Sequence, residues 1–162
     1  MTFPDGLHFE DAFFCDQYFS MADTIYYLNE KLYNYVRHED SIMSRSFKKE
    51  PISLDYIKII PRTLAFLKEH GAFEKNIDFF WHRFIQYYAF TYDNAAKSKQ
   101  GYVQKWALAF IKDHSVEFEP ASEHIKHDLL ALIYRRKTWK SRLYSNALVR
   151  YTWEKLKPLV RR

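Results

Sequence analysis

The sequence contains few of the residues that break or cross-link a chain, with three glycines, five prolines and one cysteine among 162 residues. A doubly wound sheet or a β-sandwich needs more glycine than this for its turns, so the composition favours long helices. The single cysteine, Cys15, excludes an internal disulfide and a multi-cysteine metal cluster. This cysteine usage is typical of a protein that works in a reducing cytoplasm.

Long apolar runs are absent too. No run approaches the roughly 20 residues that span a bilayer, and the chain does not open with the basic and apolar regions of a signal peptide. We therefore expect a cytoplasmic protein. What the chain does have is apolar and aromatic residues throughout, at 48% and 19% of the sequence, which is enough to bury a core.

Charge is divided unevenly along the chain. Residues 1–50 hold five Lys and Arg against nine Asp and Glu, whereas residues 121–162 hold eleven against three. The protein therefore has an acidic N-terminal part and a basic C-terminal part. A basic surface attracts anionic partners such as phosphates, nucleic acid or anionic lipid, although a charged stretch is as often a simple solvated surface.

The second and larger part of the chain has apolar residues at helical spacing. The pattern predicts a helix that starts after Ser53 and stops at Gly71, with a kink or split at Pro61. Further helices are predicted over 77–95 and 100–114, from Pro120, and from Thr138. These helices carry no known catalytic signature, and their aromatic stripes are typical of core positions.

The N-terminal part combines a predicted helix over 11–22 with β-rich runs at 25–28 and 31–36, which suggest short strands. Residues 37–50 are polar and form the main change in composition. We therefore divide the chain into 1–46 and 47–162. The expected fold is mainly α, a bundle of about five helices after a small N-terminal α/β remnant of one helix and one or two strands.

Two short motifs stand in order within the first part. The stretch from Phe3 to Asp11 reads F-P-D-G-L-H-F-E-D, and the stretch from Leu32 to Ile42 reads L-Y-N-Y-V-R-H-E-D-S-I. This arrangement resembles the end of the catalytic domain of bacterial family 2 glycosyltransferases, which have F-x-x-G-x-x-[FY]-E-D, a helix, and L-Y-x-Y-x-x-x-x-x-S-I. The resemblance covers about 45 residues and implies that 1–46 is the end of such a domain, with 47–162 a helical extension.

The resemblance implies that Asp11 is the catalytic base and that Glu10 contacts the acceptor or supports the site. An inverting sugar transfer needs a base that takes a proton from the attacking hydroxyl. A carboxylate at a helix N-terminus stays ionised because the helix dipole favours negative charge there. The alternative interpretation is that Asp11 is only the N-cap of its helix.

The resemblance also implies weaker donor or acceptor contacts at Arg37, His38 and Ser41, which follow the second predicted strand in sequence. Arg37 is equally well explained as a surface charge. The family binds its nucleotide sugar in an N-terminal Rossmann-like half, with an Asp-x-Asp motif for Mg²⁺ or Mn²⁺. The 162 residues contain neither, so we expect no cofactor site in this chain, no sugar transfer by the chain alone, and a need for the missing half.

The basic C-terminal part suggests a second surface. Cationic side chains attract anionic head groups, and Trp favours the membrane interface. The residues that would contact a membrane or another anion are Arg135, Arg136, Lys137, Trp139, Lys140, Arg142 and Trp153. The alternative is a last helix that buries its Trp residues in the bundle. Family members that build capsules and other surface polysaccharides act at the inner membrane face, which agrees with peripheral contact.

A different class of function is a non-enzymatic helical module that binds a protein or a membrane. Nucleic acid is disfavoured as the partner, because the aromatic residues fall at core spacing and no nucleic-acid motif is present. Strands at 25–28 and 31–36 would have exposed edges, so self-association through them is also expected.

Overall fold

The computed structural model of this protein describes residues 5–34, 36, 41 and 54–137, with side chains up to Leu132. Within these residues the chain is mainly helical and contains no β-strand. The helices are α1 (Glu10–Met21), α2 (Tyr56–Glu69), a short 3-10 helix (Glu74–Asn76), α3 (Ile77–Asn94), α4 (Lys97–Asp113), α5 (Ser115–Phe118) and α6 (Glu123–Lys137). The predicted mainly α bundle is confirmed.

Helix α3 lies at the centre of the bundle, in contact with α2, α4, α5 and α6. Its apolar residues recur every three or four positions, so that Phe80, Phe84 and Tyr87 are all buried. Trp81 is fully buried, and its indole N–H donates to the backbone carbonyl oxygen of Glu117 at 3.0 Å. The prediction that the aromatic stripe of this helix belongs to the core is confirmed.

Helix α2 continues through Pro61, so the chain is not split there. Proline in a helix interior costs about 3 kcal/mol because it removes one N–H and crowds the preceding turn. Five buried apolar side chains of α2 offset this cost, since burying a large apolar side chain stabilises by about 1.5–3 kcal/mol. They are Ile59, Ile60, Leu64, Phe66 and Leu67.

Helix α2 ends at Glu69, two residues before Gly71, the predicted stop. Gly71 has a φ of 61°, which glycine adopts without strain. The backbone N–H of Gly71 donates to Lys68 O at 3.1 Å, and that of Ala72 donates to Leu67 O at 2.8 Å. This pair of bonds is the Schellman motif, which satisfies the last carbonyl groups of the helix.

Helix α6 begins three residues later than expected, at Glu123 and not at Pro120. Ser122 precedes the helix, and its hydroxyl accepts a long hydrogen bond of 3.4 Å from the backbone N–H of Ile125. Its own backbone N–H donates to Asp78 Oδ1 at 2.8 Å, which fixes the turn against the start of α3. The helix predicted from Thr138 lies outside the described residues.

In the N-terminal part the helix is confirmed as α1, but the strand prediction is wrong for the described residues. Residues 25–34 form neither helix nor strand. A strand needs a neighbour to pair its backbone groups, and none is present in the described part of the chain. Helix α1 contacts α2, and Phe9 and Phe13 belong to the same core as the other helices. The proposed division into 1–46 and 47–162 stays a prediction.

Candidate functional site

Helix α1 starts immediately after a turn, and this start presents the Glu10–Asp11 pair. Phe9 occupies the N-cap position with a φ of 62°, a left-handed conformation that costs a non-glycine residue about 1–2 kcal/mol. Packing holds it there, because the Phe9 ring is buried and stacks on Tyr56 with centroids 4.6 Å apart. The strained residue therefore fixes where the first turn of α1 points.

Asp11 is the second residue of α1 and is exposed, while Glu10 is half-buried. The interpretation of Asp11 as the N-cap is wrong, because Phe9 occupies that position. Asp11 Oδ1 accepts a hydrogen bond from the backbone N–H of Ala12 at 2.8 Å. Both carboxylates lie in the first turn, where the positive end of the helix dipole favours negative charge.

A buried ion pair fixes α1 against α3. Asp16 Oδ1 accepts from Arg83 Nε at 2.7 Å, and Asp16 Oδ2 accepts from the Tyr87 hydroxyl at 2.7 Å. Burial raises the pKa of Asp16, and the hydrogen bonds from Tyr87 and Arg83 oppose that rise. Burial and the Asp16 charge also raise the pKa of Tyr87, so its phenol stays protonated and donates.

Tyr56, the first residue of α2, connects the turn before α1 to this ion pair. Its ring stacks on Phe9 on one side and on Tyr87, 4.4 Å away, on the other. Burial and the charge of Asp11 raise the pKa of Tyr56, which keeps this phenol neutral. Burial and the charges of Asp11 and Asp16 likewise raise the pKa of the Cys15 thiol, so Cys15 is not an activated nucleophile.

A cleft of about 550 Å³ opens beside the turn that precedes α1. We call it the His8 cleft. Its polar walls are His8, Asp55 and Lys58, its apolar walls are Leu54, Ile57 and Tyr102, and Gly6 lies at its rim.

Asp55 organises the His8 cleft. Its Oδ2 accepts from the backbone N–H of His8 at 3.0 Å and lies 2.8 Å from His8 Nδ1, while its Oδ1 accepts from Lys58 Nζ at 2.7 Å. Partial burial opposes ionisation, but the hydrogen bonds from Lys58 and His8 hold the pKa of Asp55 below its ordinary value. Asp55 is thus an ionised carboxylate that positions a histidine and a lysine side by side.

Neither of these polar clusters is predicted by the sequence pattern. His8 and Asp55 lie 47 residues apart, and Asp16 and Arg83 lie 67 apart. His8 falls inside the F-x-x-G-x-x-F-E-D stretch, which is the one signal that could have drawn attention to it. The other three residues, Asp16, Asp55 and Arg83, belong to no motif.

Most of the other predicted site residues lie outside the described part of the chain. Ser41 is half-buried, and Arg37 and His38 lie outside the described residues. Arg135, Arg136 and Lys137 are in the last turns of α6, where the backbone alone is described. Trp139, Lys140, Arg142 and Trp153 lie outside the described residues.

The segment 22–34, which follows α1, exposes most of its large apolar side chains. The two most exposed are Tyr26 at 91% and Tyr27 at 87%. The others are Ile25, Leu28, Leu32 and Tyr33, with Val36 just beyond. A contiguous exposed apolar stretch of this kind commonly marks a contact surface.

No group of three or more His, Cys, Asp or Glu side chains among the described residues is arranged to hold a metal ion. His124 and His127 each lie 3.3 Å from an oxygen of Asp128.

None of the helices in the described part of the chain has the length and apolar character needed to cross a membrane. Comparison of the chain with models of protein families, with curated proteins and with solved structures found no match in any of the three.

Proposed function

We propose that this chain is the C-terminal part of a glycosyltransferase that moves a sugar from a nucleotide-sugar donor to a polysaccharide or lipid-linked acceptor. The observation that carries the proposal is the ordered pair of motifs, Phe3 to Asp11 and Leu32 to Ile42. In this proposal Asp11 takes the proton from the acceptor hydroxyl. Glu10 contacts the acceptor or supports the site.

The position of Asp11 supports this role. Its carboxylate is exposed, accepts one hydrogen bond from its own helix, and keeps further lone pairs for a hydroxyl donor. A base must also be held still, because small displacements from the reactive geometry slow a reaction strongly. The Asp16–Arg83 ion pair and the buried Phe9 ring hold both ends of the first two turns of α1.

The donor must be bound elsewhere, by a segment or chain that supplies a nucleotide site. The 162 residues contain no Asp-x-Asp and no glycine-rich loop. The exposed apolar side chains of 22–34 support contact with such a segment or chain, because an exposed apolar stretch commonly marks a contact surface. We place the assembled enzyme in the cytoplasm at the inner membrane face, with the basic residues from Arg135 onward near anionic lipid.

The decisive experiment expresses this chain together with the sequence encoded immediately upstream of it, and measures transfer of radiolabelled sugar from nucleotide sugars into the lipid and polysaccharide fractions. Asp11→Asn is expected to lower transfer by about 10²–10⁴-fold, the usual contribution of a general base. Asp23→Asn is the matched control, since Asp23 is exposed just beyond α1. Transfer unchanged by Asp11→Asn would overturn the role given to Asp11.

The chain alone provides a second test. We expect no turnover of any nucleotide sugar by the purified chain, with or without Mg²⁺ or Mn²⁺, because the 162 residues contain neither an Asp-x-Asp motif nor a glycine-rich loop. Measurable release of nucleotide diphosphate by the chain alone contradicts the proposal that another segment or chain binds the donor.

A second candidate function is a non-enzymatic module that binds a protein or a membrane, and the exposed apolar side chains of 22–34 favour it specifically. Binding to anionic liposomes at low salt that is lost at high salt supports the membrane form of this function. If the upstream sequence encodes no nucleotide-binding half and liposomes bind, this second function replaces the first.

A further inference from the structure

We infer that the His8 cleft is a saccharide-binding site. The inference deepens the proposed function in one respect, because a saccharide held there would be the acceptor. The binding itself depends only on residues of this chain.

The charges of the cleft are compensated within it. The Asp55 carboxylate accepts from the Lys58 ammonium at 2.7 Å, so the two cancel. Among the described lining residues only a protonated His8 would add net charge. A cleft built for an isolated phosphate would present an excess of positive charge, and this one does not. Its chemistry suits a neutral ligand that both donates and accepts hydrogen bonds.

The polar groups are oriented before any ligand arrives. A carboxylate can only accept, so the hydrogen bond to Asp55 Oδ2 assigns the proton to His8 Nδ1. In the neutral imidazole His8 Nε2 is then an acceptor, and the His8 side chain is 39% exposed. Lys58 uses one of its three N–H donors on Asp55 and is 59% exposed. Acceptor and donors therefore lie side by side, as a pair of sugar hydroxyls requires.

The apolar walls complete the match. A sugar ring presents C–H groups on one face, and these pack against aromatic and aliphatic side chains. Tyr102 is 54% exposed at the cleft, and Leu54 and Ile57 contribute the neighbouring surface. The cleft volume of about 550 Å³ falls within the range of small-ligand sites, which combine apolar walls with a few placed polar groups.

The location of the cleft connects it to Glu10 and Asp11. Gly6 and His8 line the cleft and immediately precede the first turn of α1. Leu54 and Asp55 immediately precede α2, Ile57 and Lys58 lie in its first turn, and Tyr102 belongs to α4. Residues of the predicted extension, 47–162, thus line most of the cleft. Gly6 and His8, from the motif between Phe3 and Asp11, line the rest.

The test is an NMR titration of the isotope-labelled chain with neutral methyl glycosides of glucose, galactose and N-acetylglucosamine, with disaccharides, with glucose 1-phosphate and with inorganic phosphate. We expect saturable shifts of the His8 and Tyr102 signals with at least one neutral saccharide. Inorganic phosphate should produce no saturable shift. Saturation by inorganic phosphate at the same signals would identify an anion site and overturn the inference, as would the absence of saturation by every saccharide.

Variants of the cleft residues test whether the shifts in the titration come from binding in the His8 cleft. His8→Gln and Tyr102→Ala should each weaken saccharide binding about tenfold, the effect of losing one good polar or packing contact. The matched controls are His127→Gln, which alters another histidine beside an aspartate, and Tyr33→Ala, which alters another exposed tyrosine. Circular dichroism checks that every variant is folded. Equal affinity in both cleft variants and both controls overturns the assignment to this cleft.

The saccharide site and the proposed function can fail separately. Asp11→Asn tests transfer by the assembled enzyme, which it should lower by about 10²–10⁴-fold, whereas Tyr102→Ala tests saccharide binding by the chain. Saccharide binding without any transfer would retain the site and reject the enzyme. Transfer that requires Asp11 but is unaffected by Tyr102→Ala, with no binding by the chain, would retain the enzyme and reject the site.

Discussion

Two regions of this protein use the same kinds of side chain in opposite ways. Helix α3 and segment 22–34 are both rich in tyrosine and other large apolar residues, yet Trp81 in α3 is 0% exposed and Tyr26 in the segment is 91% exposed. Helix α3 has neighbours on several sides, and the segment has neither helix nor strand. Residue type alone therefore does not decide burial. The spacing of apolar residues and the presence of a partner do.

The largest effect is expected at the centre of the bundle. Trp81→Ala should lower the free energy of unfolding by about 5 kcal/mol, the upper end for such a change, because it leaves a cavity and removes the hydrogen bond to Glu117. Urea denaturation followed by circular dichroism measures it. A loss below about 1 kcal/mol would mean that α3 is not the centre of the core.

The second largest loss of stability is expected when the buried ion pair between Asp16 and Arg83 is broken. Asp16→Ala leaves Arg83 without its carboxylate and should cost about 3 kcal/mol, the lower end for a buried pair, because the Arg83 side chain is 27% exposed and partly reaches water. The double variant Asp16→Leu with Arg83→Met should recover much of this loss, since it removes both charges together. Failure of the double variant to recover stability would show that packing or the loss of the Tyr87 hydrogen bond, not the stranded charge, causes the effect.

A smaller, pH-dependent effect is expected at Asp55. Because its folded-state pKa is lowered from 3.8, Asp55 stabilises the fold above that value, and this stabilisation is lost as pH falls through the lowered pKa. Asp55→Asn should therefore cost about 1 kcal/mol at neutral pH. The difference from the parent protein should shrink as pH drops below 3.8. Urea denaturation at a series of pH values measures this, and a difference that grows in acid would contradict the sign.

The smallest effect on stability is expected in segment 22–34. Tyr26→Ser should change the free energy of unfolding by less than about 0.5 kcal/mol, because the ring is already in water. The same change should reduce any self-association, which analytical ultracentrifugation detects. The expected contact now depends on exposed apolar side chains and not on strand edges. A cost above 1 kcal/mol would reveal that Tyr26 packs on the bundle.

The helices could be predicted because their signal is local. Spacing placed a helix over 77–95, and α3 runs over Ile77–Asn94. Gly71 follows the end of α2 as expected, because a left-handed glycine after a helix is a property of a few neighbouring residues. Boundaries set by side-chain contacts were less accurate, as the turn at Ser122 illustrates.

The absence of strands from 25–34 and the presence of the polar clusters could not be predicted in the same way, because each depends on residues distant in sequence. The β-rich run at 25–28 describes a segment able to pair, but the described chain offers it no partner. The contact between His8 and Asp55 exists because α1 and α2 pack together, which no local pattern encodes. The Glu10–Asp11 pair could be selected from the sequence because its motif resembles a family. The residues that lie near it in the fold could not be selected in this way.

The buried contacts of α1 have a consequence for how the chain can be divided. Phe9, Phe13 and the Asp16–Arg83 pair attach this helix to the bundle through its side chains, while the exposed segment 22–34 attaches it through the backbone alone. A protease that nicks the exposed segment would therefore leave two polypeptides that remain associated. The same property makes this segment a suitable site at which to divide the chain for fragment complementation. In that experiment α1 and the bundle are produced as separate polypeptides, which associate through their buried contacts.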